Sequence, residues 1–255
     1  MTAATTDQLR RYWDRQPCNV HLSSRLAGSR EWSEELETRR YWSEPHIKEF
    51  AEFPLWAGKR VLEIGCGVGT DSLQFARHGA ILDAVDASYE STALTRHRLW
   101  MHDYSVCVFC DNAEEWLPGE QNCYDLIYSY GVLHHTPKPL NVLRRAWTRL
   151  KAGGELRIMV YARGSLKRWQ RWQPEAQAGC PLVRYYWPSE IRWLLETAGF
   201  TVRKIERRHI FKYVLADYLN HVYTPRPLLV FLGSKKFEVL SRYLGEHLLV
   251  YGGRS

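Results

Sequence analysis

The stretch VLEIGCGVGTDS, residues 61–72, decides the fold of this 255-residue chain. A short aliphatic run is followed by three closely spaced glycines, Gly65, Gly67 and Gly69. A buried strand that stops at a glycine-rich turn and leads into a helix is typical of sites where a nucleotide-like ligand lies against bare backbone. The spacing here is G-x-G-x-G, whereas the dinucleotide-binding fingerprint is G-x-G-x-x-G. This difference leaves the class of ligand open.

Short apolar runs alternate with amphipathic stretches on both sides of this turn. Five runs are predicted to be strands, at residues 60–64, 80–85, 105–110, 124–130 and 155–161. Two more strands are expected at 200–206 and 247–253, the last of them antiparallel beside the fifth. Strands that alternate with helices pair in parallel through right-handed crossovers. The pattern therefore predicts an α/β fold with a Rossmann-like, seven-stranded, mostly parallel sheet and helices on both faces.

Three segments fall outside this alternating pattern. Residues 1–57 are predicted to form an N-terminal helical cap on a main domain of residues 58–255. Lid insertions are expected at about 162–187 and 207–246, and the apolar residues 227–233 are expected to form a buried helix turn. Many of the 11 Trp and 15 Tyr residues lie in these additions, where they are expected to pack a core or a lid or to line a pocket.

The composition restricts the classes of protein. No apolar run approaches the roughly 20 residues that cross a bilayer, and the N-terminus lacks the apolar centre of a secretory signal. The six cysteines form no disulfide framework, so a soluble, cytoplasmic protein with free thiols is expected. The net charge of +7 leaves a nucleic-acid partner possible, although no block of like charges resembles a basic tail.

The ends of the predicted strands carry polar side chains. In an α/β sheet a ligand binds where the strands end, near the switch in strand order. Asp86 follows the second strand and can accept hydrogen bonds from both hydroxyls of a ribose. That feature fits NAD and S-adenosylmethionine equally well.

Three features favour a cationic cofactor over a dinucleotide. The third glycine comes one position earlier than in the dinucleotide-binding motif, where its position allows close helix–strand packing beside a pyrophosphate. Glu63 and Asp71 flank the turn, where they would repel a phosphate but suit an ammonium and a sulfonium. Asp111, at the end of the third strand, can accept a hydrogen bond from an adenine amino group.

Four ordered motifs carry a resemblance to a known family. VLEIGCGVG at 61–69, AVDAS at 84–88, CDNAEE at 110–115 and YDLIYSYGVLHHTPKP at 124–139 closely resemble the class I S-adenosylmethionine-dependent methyltransferases. The resemblance covers roughly residues 59–161, and the additions are similar to those of small-molecule members. It implies S-adenosylmethionine as cofactor, S-adenosylhomocysteine as product, and a small-molecule acceptor methylated at oxygen or nitrogen.

The resemblance also implies a set of cofactor contacts. Gly65 and Gly67 would pass under the amino-acid part of the cofactor, and Asp86 would hold the ribose. The full set of predicted cofactor-binding residues is Tyr41, Glu63, Gly65, Cys66, Gly67, Thr70, Asp71, Asp86, Ala87, Ser88, Asp111, Asn112, Ala113 and Ser129.

The predicted catalytic residues are His134, His135 and Tyr130. The two histidines follow the fourth strand, where the acceptor is expected, and an imidazole there could deprotonate a hydroxyl or an ammonium near neutral pH. Alternatively, one histidine contacts the cofactor or backbone while the other packs under the loop. His21, Glu44 and His46 are lesser candidates.

Other chemistries receive less support from the sequence. No metal is expected, because residues 129–137 supply no cluster of carboxylates. An RNA or protein methyltransferase could use the basic stretches 144–149 and 163–171, but the fourth strand ends in SYGV rather than in an N-P-P-Y type of sequence. A non-catalytic member of the family that retains the fold is a third possibility.

Overall fold

Seven strands form one sheet in this computed structural model, which describes residues 5–166, 179–211, 213, 214, 217, 222, 224 and 233–255. The strands are β1 Arg60–Ile64, β2 Ile81–Asp86, β3 Cys107–Cys110, β4 Tyr124–Tyr130, β5 Leu150–Tyr161, β6 Thr201–Arg208 and β7 His247–Gly253. Their order across the sheet is β3-β2-β1-β4-β5-β7-β6.

The first five strands are parallel, and β7 is antiparallel to both β5 and β6. The predicted seven-stranded, mostly parallel sheet is thus confirmed, including the antiparallel placement of the last strand beside the fifth. The strand order reverses between β1 and β4, so the crossovers leave a crevice at the carboxyl ends of these two strands.

Eight α-helices are present among the described residues: α1 Thr6–Arg15, α2 Arg30–Ser43, α3 His46–Ala51, α4 Thr70–Arg77, α5 Tyr89–Met101, α6 Pro139–Arg149, α7 Pro188–Thr197 and α8 Gly233–Leu244. Local sequence sets several helix starts. The Thr5 and Gln8 side chains form a capping box on α1, and Ser29 and Ser88 cap α2 and α5. None of the helices in the described part of the chain is long and apolar enough to cross a membrane.

Two hydrophobic clusters cover the two faces of the sheet, because successive strand residues point to opposite sides. On one face, strand residues pack against aromatic side chains of α3, α4 and the 3₁₀ turn Phe53–Trp56: Val61, Leu126 and Met159 against Phe50, Phe53 and Phe75. On the other face, Leu62, Ile127 and Ile158 pack against Leu143 and Leu195 of α6 and α7. The prediction of helices on both faces is confirmed.

Element boundaries differ from the sequence prediction around β5. This strand begins at Leu150, directly after α6, whereas the sequence predicted a strand from residue 155. Leu150 pairs with Tyr124 of β4 ahead of an irregularity in the ladder, so strand pairing decides the boundary here.

The predicted division into a cap of residues 1–57 and a domain of 58–255 stays a prediction, although α1, α2 and α3 do fall within the cap. The predicted lid at 162–187 is described at 162–166 and 179–187, and residues 167–178 lie outside the described residues. In the lid predicted at 207–246, residues 233–244 form α8. The buried helix turn expected at 227–233 lies outside the described residues, except for residue 233, which is the first residue of α8.

Candidate active site

A cavity of about 300 Å³ lies at the carboxyl ends of β1, β2 and β4. It is lined by most of the residues predicted to bind a cofactor or to act in catalysis: Glu63, Gly65, Cys66, Gly67, Thr70, Asp71, Asp86, Ala87, Asp111, Asn112, Ala113, Tyr130 and His135. The other predicted residues, Tyr41, Ser88, Ser129 and His134, lie beside the cavity without lining it. Strand ends that are distant in sequence therefore meet in one space.

The glycine turn is shaped as a backbone cradle. Gly65, Gly67 and Gly69 all have positive φ angles, of 78°, 54° and 74°, which side-chain-bearing residues rarely adopt. A Cβ on Gly67 would meet no atom within 4 Å, so the backbone there faces open space. A Cβ on Gly65 would lie 2.1 Å from Val132 Cγ2, so this glycine allows the loop after β4 to approach. The cradle fits a ligand held against the backbone.

The Asp86 carboxylate is fixed in place at the end of β2. One oxygen accepts a hydrogen bond from the Gly67 backbone N–H at 2.9 Å, and the other accepts one from the Ser88 N–H at 2.9 Å. Burial raises the pKa of Asp86, while these backbone donors oppose that rise. A carboxylate has about four acceptor sites, so two remain for hydroxyls of a ribose.

Asp111 and Asn112 form a short turn at the end of β3. The Asp111 backbone N–H donates to the carbonyl of Asp86, and an Asp111 carboxylate oxygen accepts from the Asn112 N–H at 2.7 Å. Asn112 Oδ1 in turn accepts from the Glu114 N–H. The turn presents carboxylate and backbone groups to the cavity, as adenine recognition requires.

Asp71 is buried at the start of α4, and its oxygens already accept four hydrogen bonds. Arg40 donates two, at 2.9 and 3.2 Å, and the hydroxyls of Tyr41 and Tyr128 donate one each, at 2.8 and 2.9 Å. Burial and the nearby Asp71 charge raise the pKa of Glu63, which accepts from Ser72. The predicted direct contact of Asp71 or Tyr41 with a cofactor stays a prediction. In this structure Asp71 pairs with Arg40, and the Tyr41 hydroxyl donates to Asp71.

Arg40 is a site residue that sequence reasoning missed. Its guanidinium lies 5.2 Å from the centre of the Tyr130 ring, and it lines the cavity near the glycine turn. A guanidinium recognises carboxylates with directed, charge-assisted hydrogen bonds, so Arg40 fits the carboxylate of an amino-acid moiety. Its place in the helix of the predicted cap gave no local signal for this role.

The two neighbouring histidines have different environments. His134 is fully buried and stacks on Tyr161, with ring centres 3.8 Å apart. His135 lines the cavity, and its Nδ1 donates to the Leu182 carbonyl at 2.7 Å, because a carbonyl can only accept. Burial lowers the pKa of His135 to about 4, so the ring is neutral at pH 7 and its Nε2 carries the lone pair.

The lowered pKa of His135 predicts a loss of stability in acid. Its pKa falls from 6.5 to about 4 on folding, so between these values only the unfolded chain takes up the proton. This contribution to the free energy of unfolding is complete above pH 6.5 and is lost progressively toward pH 4, by about 3 kcal/mol. Urea unfolding at several pH values should therefore show a flatter pH profile for His135→Gln than for the original chain. Parallel pH profiles of stability for the two proteins would contradict the lowered pKa of His135.

A second cluster of titratable groups lies at the cavity. The Tyr130 hydroxyl donates to Glu44 at 2.6 Å and lies 2.9 Å from His46 Nε2 and 3.0 Å from His247 Nδ1. The His209 ring stacks on His247, with ring centres 4.6 Å apart. The sequence analysis named Tyr130, Glu44 and His46 but missed His209 and His247, which come from the end of β6 and the start of β7.

Comparison with known proteins gives a family and several relatives. The family model described as "Methyltransferase domain" matches residues 34–205. A ubiquinone biosynthesis O-methyltransferase of Aeromonas salmonicida (strain A449) is 28% identical over 160 residues, which cover 60% of this chain and 67% of that protein. One of the same name from Coxiella burnetii (strain Dugway 5J108-111) is 30% identical over 99 residues, covering 39% of this chain and 42% of that protein.

Solved structures share the fold over the whole chain. The (4+2)-cyclase SpnF has a TM-score of 0.68 at 18% identity, and the match covers 100% of this chain and 97% of that one. Geranyl diphosphate C-methyltransferase from Streptomyces coelicolor A3(2) has a TM-score of 0.64 at 15% identity, with 100% of both chains covered. At these identities the likeness establishes the architecture and leaves the reaction to the residues of the site.

Proposed function

This chain belongs to the methyltransferase domain family as an S-adenosylmethionine-dependent enzyme, and we propose that it methylates an oxygen or nitrogen atom of a small molecule. The observation that carries the proposal is the single cavity, in which the glycine turn and Asp86 share one space with His135 and Tyr130. Residues suited to the cofactor and residues suited to an acceptor are thereby adjacent. S-adenosylmethionine, when bound, supplies a methyl group on a positively charged sulfur.

Four groups of this chain would hold the cofactor. The backbone at Gly65 and Gly67 accommodates the amino-acid part, and Arg40 pairs with its carboxylate. Asp86 accepts from the ribose hydroxyls, and Asp111 accepts from the adenine amino group. The buried carboxylate of Asp71 adds negative potential near a positively charged ligand.

The acceptor end of the cavity is mostly apolar and aromatic. Trp13 of α1 packs edge-on to His135, with ring centres 5.1 Å apart, and Met159, Tyr161 and Phe211 line the same region. Because α1 lies over this region, the space is suited to a compact molecule whose exposure to water is limited. The relatives named as O-methyltransferases of ubiquinone biosynthesis also support an acceptor oxygen on a small molecule.

His135 is the proposed proton acceptor, since its Nε2 carries a lone pair and its ring lines the cavity. His134 is buried against Tyr161 and would support the loop instead. A base with a pKa near 4 is weak at neutral pH, so its contribution lies at the low end of general-base catalysis. His135→Gln is expected to lower kcat about 100-fold while the affinity for S-adenosylmethionine is retained. An unchanged kcat would reject the role.

The alternative of an RNA or protein substrate has less support. In the basic stretch 144–149, Arg145 donates to the Glu114 carbonyl, and Arg149 donates to Thr148. These side chains are thus partly engaged within the fold rather than presented as a basic patch. The other basic stretch, at 163–171, extends beyond residue 166 into a part that the structure does not describe.

A non-catalytic family member that retains the fold and binds the cofactor is a second candidate. Incubation with methyl-labelled S-adenosylmethionine and a cell extract separates these possibilities. The label is expected in small solutes, and it should be absent from the reaction of the Asp86→Ala variant. Label in RNA or protein would overturn the proposed acceptor class. Bound cofactor without any transfer would favour the second candidate.

A further inference from the structure

Two segments of the chain bring metal-ligand side chains together beside the cavity. Glu44 and His46 lie at the junction of α2 and α3, and His247 begins β7. One carboxylate oxygen of Glu44, a ring nitrogen of His46 and a ring nitrogen of His247 all lie within 4.8 Å of one another. This is a convergent set of donors on two packed elements and not a patch of exposed acidic groups.

The separations between these donors match those around a single ion. His46 Nε2 lies 3.1 Å from His247 Nδ1, and the latter lies 3.8 Å from Glu44 Oε2. Ligand atoms bound at about 2.1 Å to a tetrahedral zinc ion are about 3.4 Å apart. The observed distances lie on either side of this value, so small side-chain movements would complete the site.

Hydrogen bonds alone do not satisfy the cluster well. The Tyr130 hydroxyl, His46 Nε2 and His247 Nδ1 form a triangle with edges of 2.9, 3.0 and 3.1 Å. The hydroxyl proton is directed to Glu44, at 2.6 Å. Each of the three edges needs one proton to become a hydrogen bond. The two ring nitrogens carry at most one proton each, so at most two protons are available. At least one edge therefore lacks a linear hydrogen bond, which a shared cation would replace.

The chemistry of the donors also suits a cation. Two imidazoles and one carboxylate form the ligand set of catalytic zinc and iron sites with two histidines and one carboxylate.

Further groups surround these donors. His209 stacks on His247, and its Nε2 lies 3.3 Å from Glu246 Oε1. The backbone of His209 has a φ of 66°, a strained conformation that positions this ring against the cluster. The stacked His209 ring restricts the orientation of the His247 imidazole.

We propose that Glu44, His46 and His247 bind a divalent transition-metal ion, of the class of Zn²⁺, beside Tyr130. Glu44, Tyr130 and His247 also line the cavity, so the ion has access to it. The ion could then hold the oxygen or nitrogen atom of the methyl acceptor. This role of the ion rests on the proposed function, whereas the binding of the ion is independent of it. The sequence-based expectation of no metal considered only the loop after β4, and these donors come from other segments.

Co²⁺ is a suitable probe because its visible absorption reports the ligand geometry. The full-length chain, freed of metal by a chelator, is expected to bind one Co²⁺ per chain with the strong visible bands of four or five coordination, and Zn²⁺ should displace it. His46→Ala and His247→Ala are each expected to weaken binding by about 100-fold or more. His97→Ala is the matched control, because His97 is exposed, does not line the cavity, and contacts the Gly28 carbonyl and the Trp100 ring.

Several outcomes would overturn the proposal. These are an absence of the Co²⁺ bands, equal binding by His247→Ala and the original chain, or equal losses in His97→Ala. Circular dichroism shows whether the alanine variants fold, and His46→Gln replaces His46→Ala if they do not. Because the readout is binding of the ion alone, a failure here is separate from a failure of methyl transfer in the labelling experiment.

Discussion

Replacement of Asp86 by alanine is expected to weaken the binding of S-adenosylmethionine by about 100- to 1000-fold. The variant would lose two charge-assisted hydrogen bonds to the ribose, each worth about 1.5–3 kcal/mol. It would also lose the contacts that fix the Gly67 and Ser88 backbone N–H groups, at 2.9 Å each. The expected effect is large because, in the proposed site, one carboxylate would both recognise the ligand and order the turn that holds it.

Isothermal titration with S-adenosylhomocysteine measures this change directly. Asp83→Ala is the matched control, because Asp83 lies on the same strand but pairs with Arg60 and Tyr124, away from the cavity. The control variant is expected to retain its affinity. Similar losses of affinity in both variants, with intact folds by circular dichroism, would contradict a specific role for Asp86.

Replacement of Asp71 by alanine is expected to lower the free energy of unfolding by about 3–5 kcal/mol. Asp71 is 3% exposed and pairs with Arg40, and its oxygens also accept from Tyr41 and Tyr128. Its removal leaves a buried guanidinium and two buried hydroxyls without their acceptor, and the desolvation cost of these groups then opposes folding. The attachment of α2 to α4 should loosen as a result.

Urea unfolding compares this variant with Glu37→Ala. Glu37 also links α2 to α4, through Arg77, but the two side chains of that ion pair are 22% and 31% exposed. A partly exposed pair of this kind contributes about 1 kcal/mol or less. A similar loss of stability in the two variants would show that burial of Asp71 does not set the strength of this contact.

Local signals in the sequence were sufficient for the architecture. Short apolar runs that end in glycine or aspartate, such as the run before Gly65 and the one before Asp86, predict buried parallel strands, because such strands need no polar face. The order of these motifs along the chain also carried the family resemblance. Only boundaries that depend on pairing, such as the start of β5 at Leu150, differed from the prediction.

The half of the cavity proposed to hold the cofactor was predictable for the same reason. Gly65 follows β1 directly, Asp86 ends β2 and Asp111 follows β3 directly, and the carboxyl ends of parallel strands necessarily meet at one edge of the sheet. Periodicity and turn chemistry therefore locate these residues without knowledge of any long-range contact.

The positions of the other site residues were decided only by the tertiary structure. His46 and His247 are 201 positions apart in sequence and yet have ring nitrogens 3.1 Å apart. Arg40 reaches the glycine turn only because the helix that carries it packs on α4. The distinct environments of His134 and His135 likewise follow from Tyr161 and Leu182, which neither residue type nor spacing specifies. The sequence determines which elements form and where each strand ends. The packing of separate segments determines which side chains meet, because packing depends on burial over the whole chain.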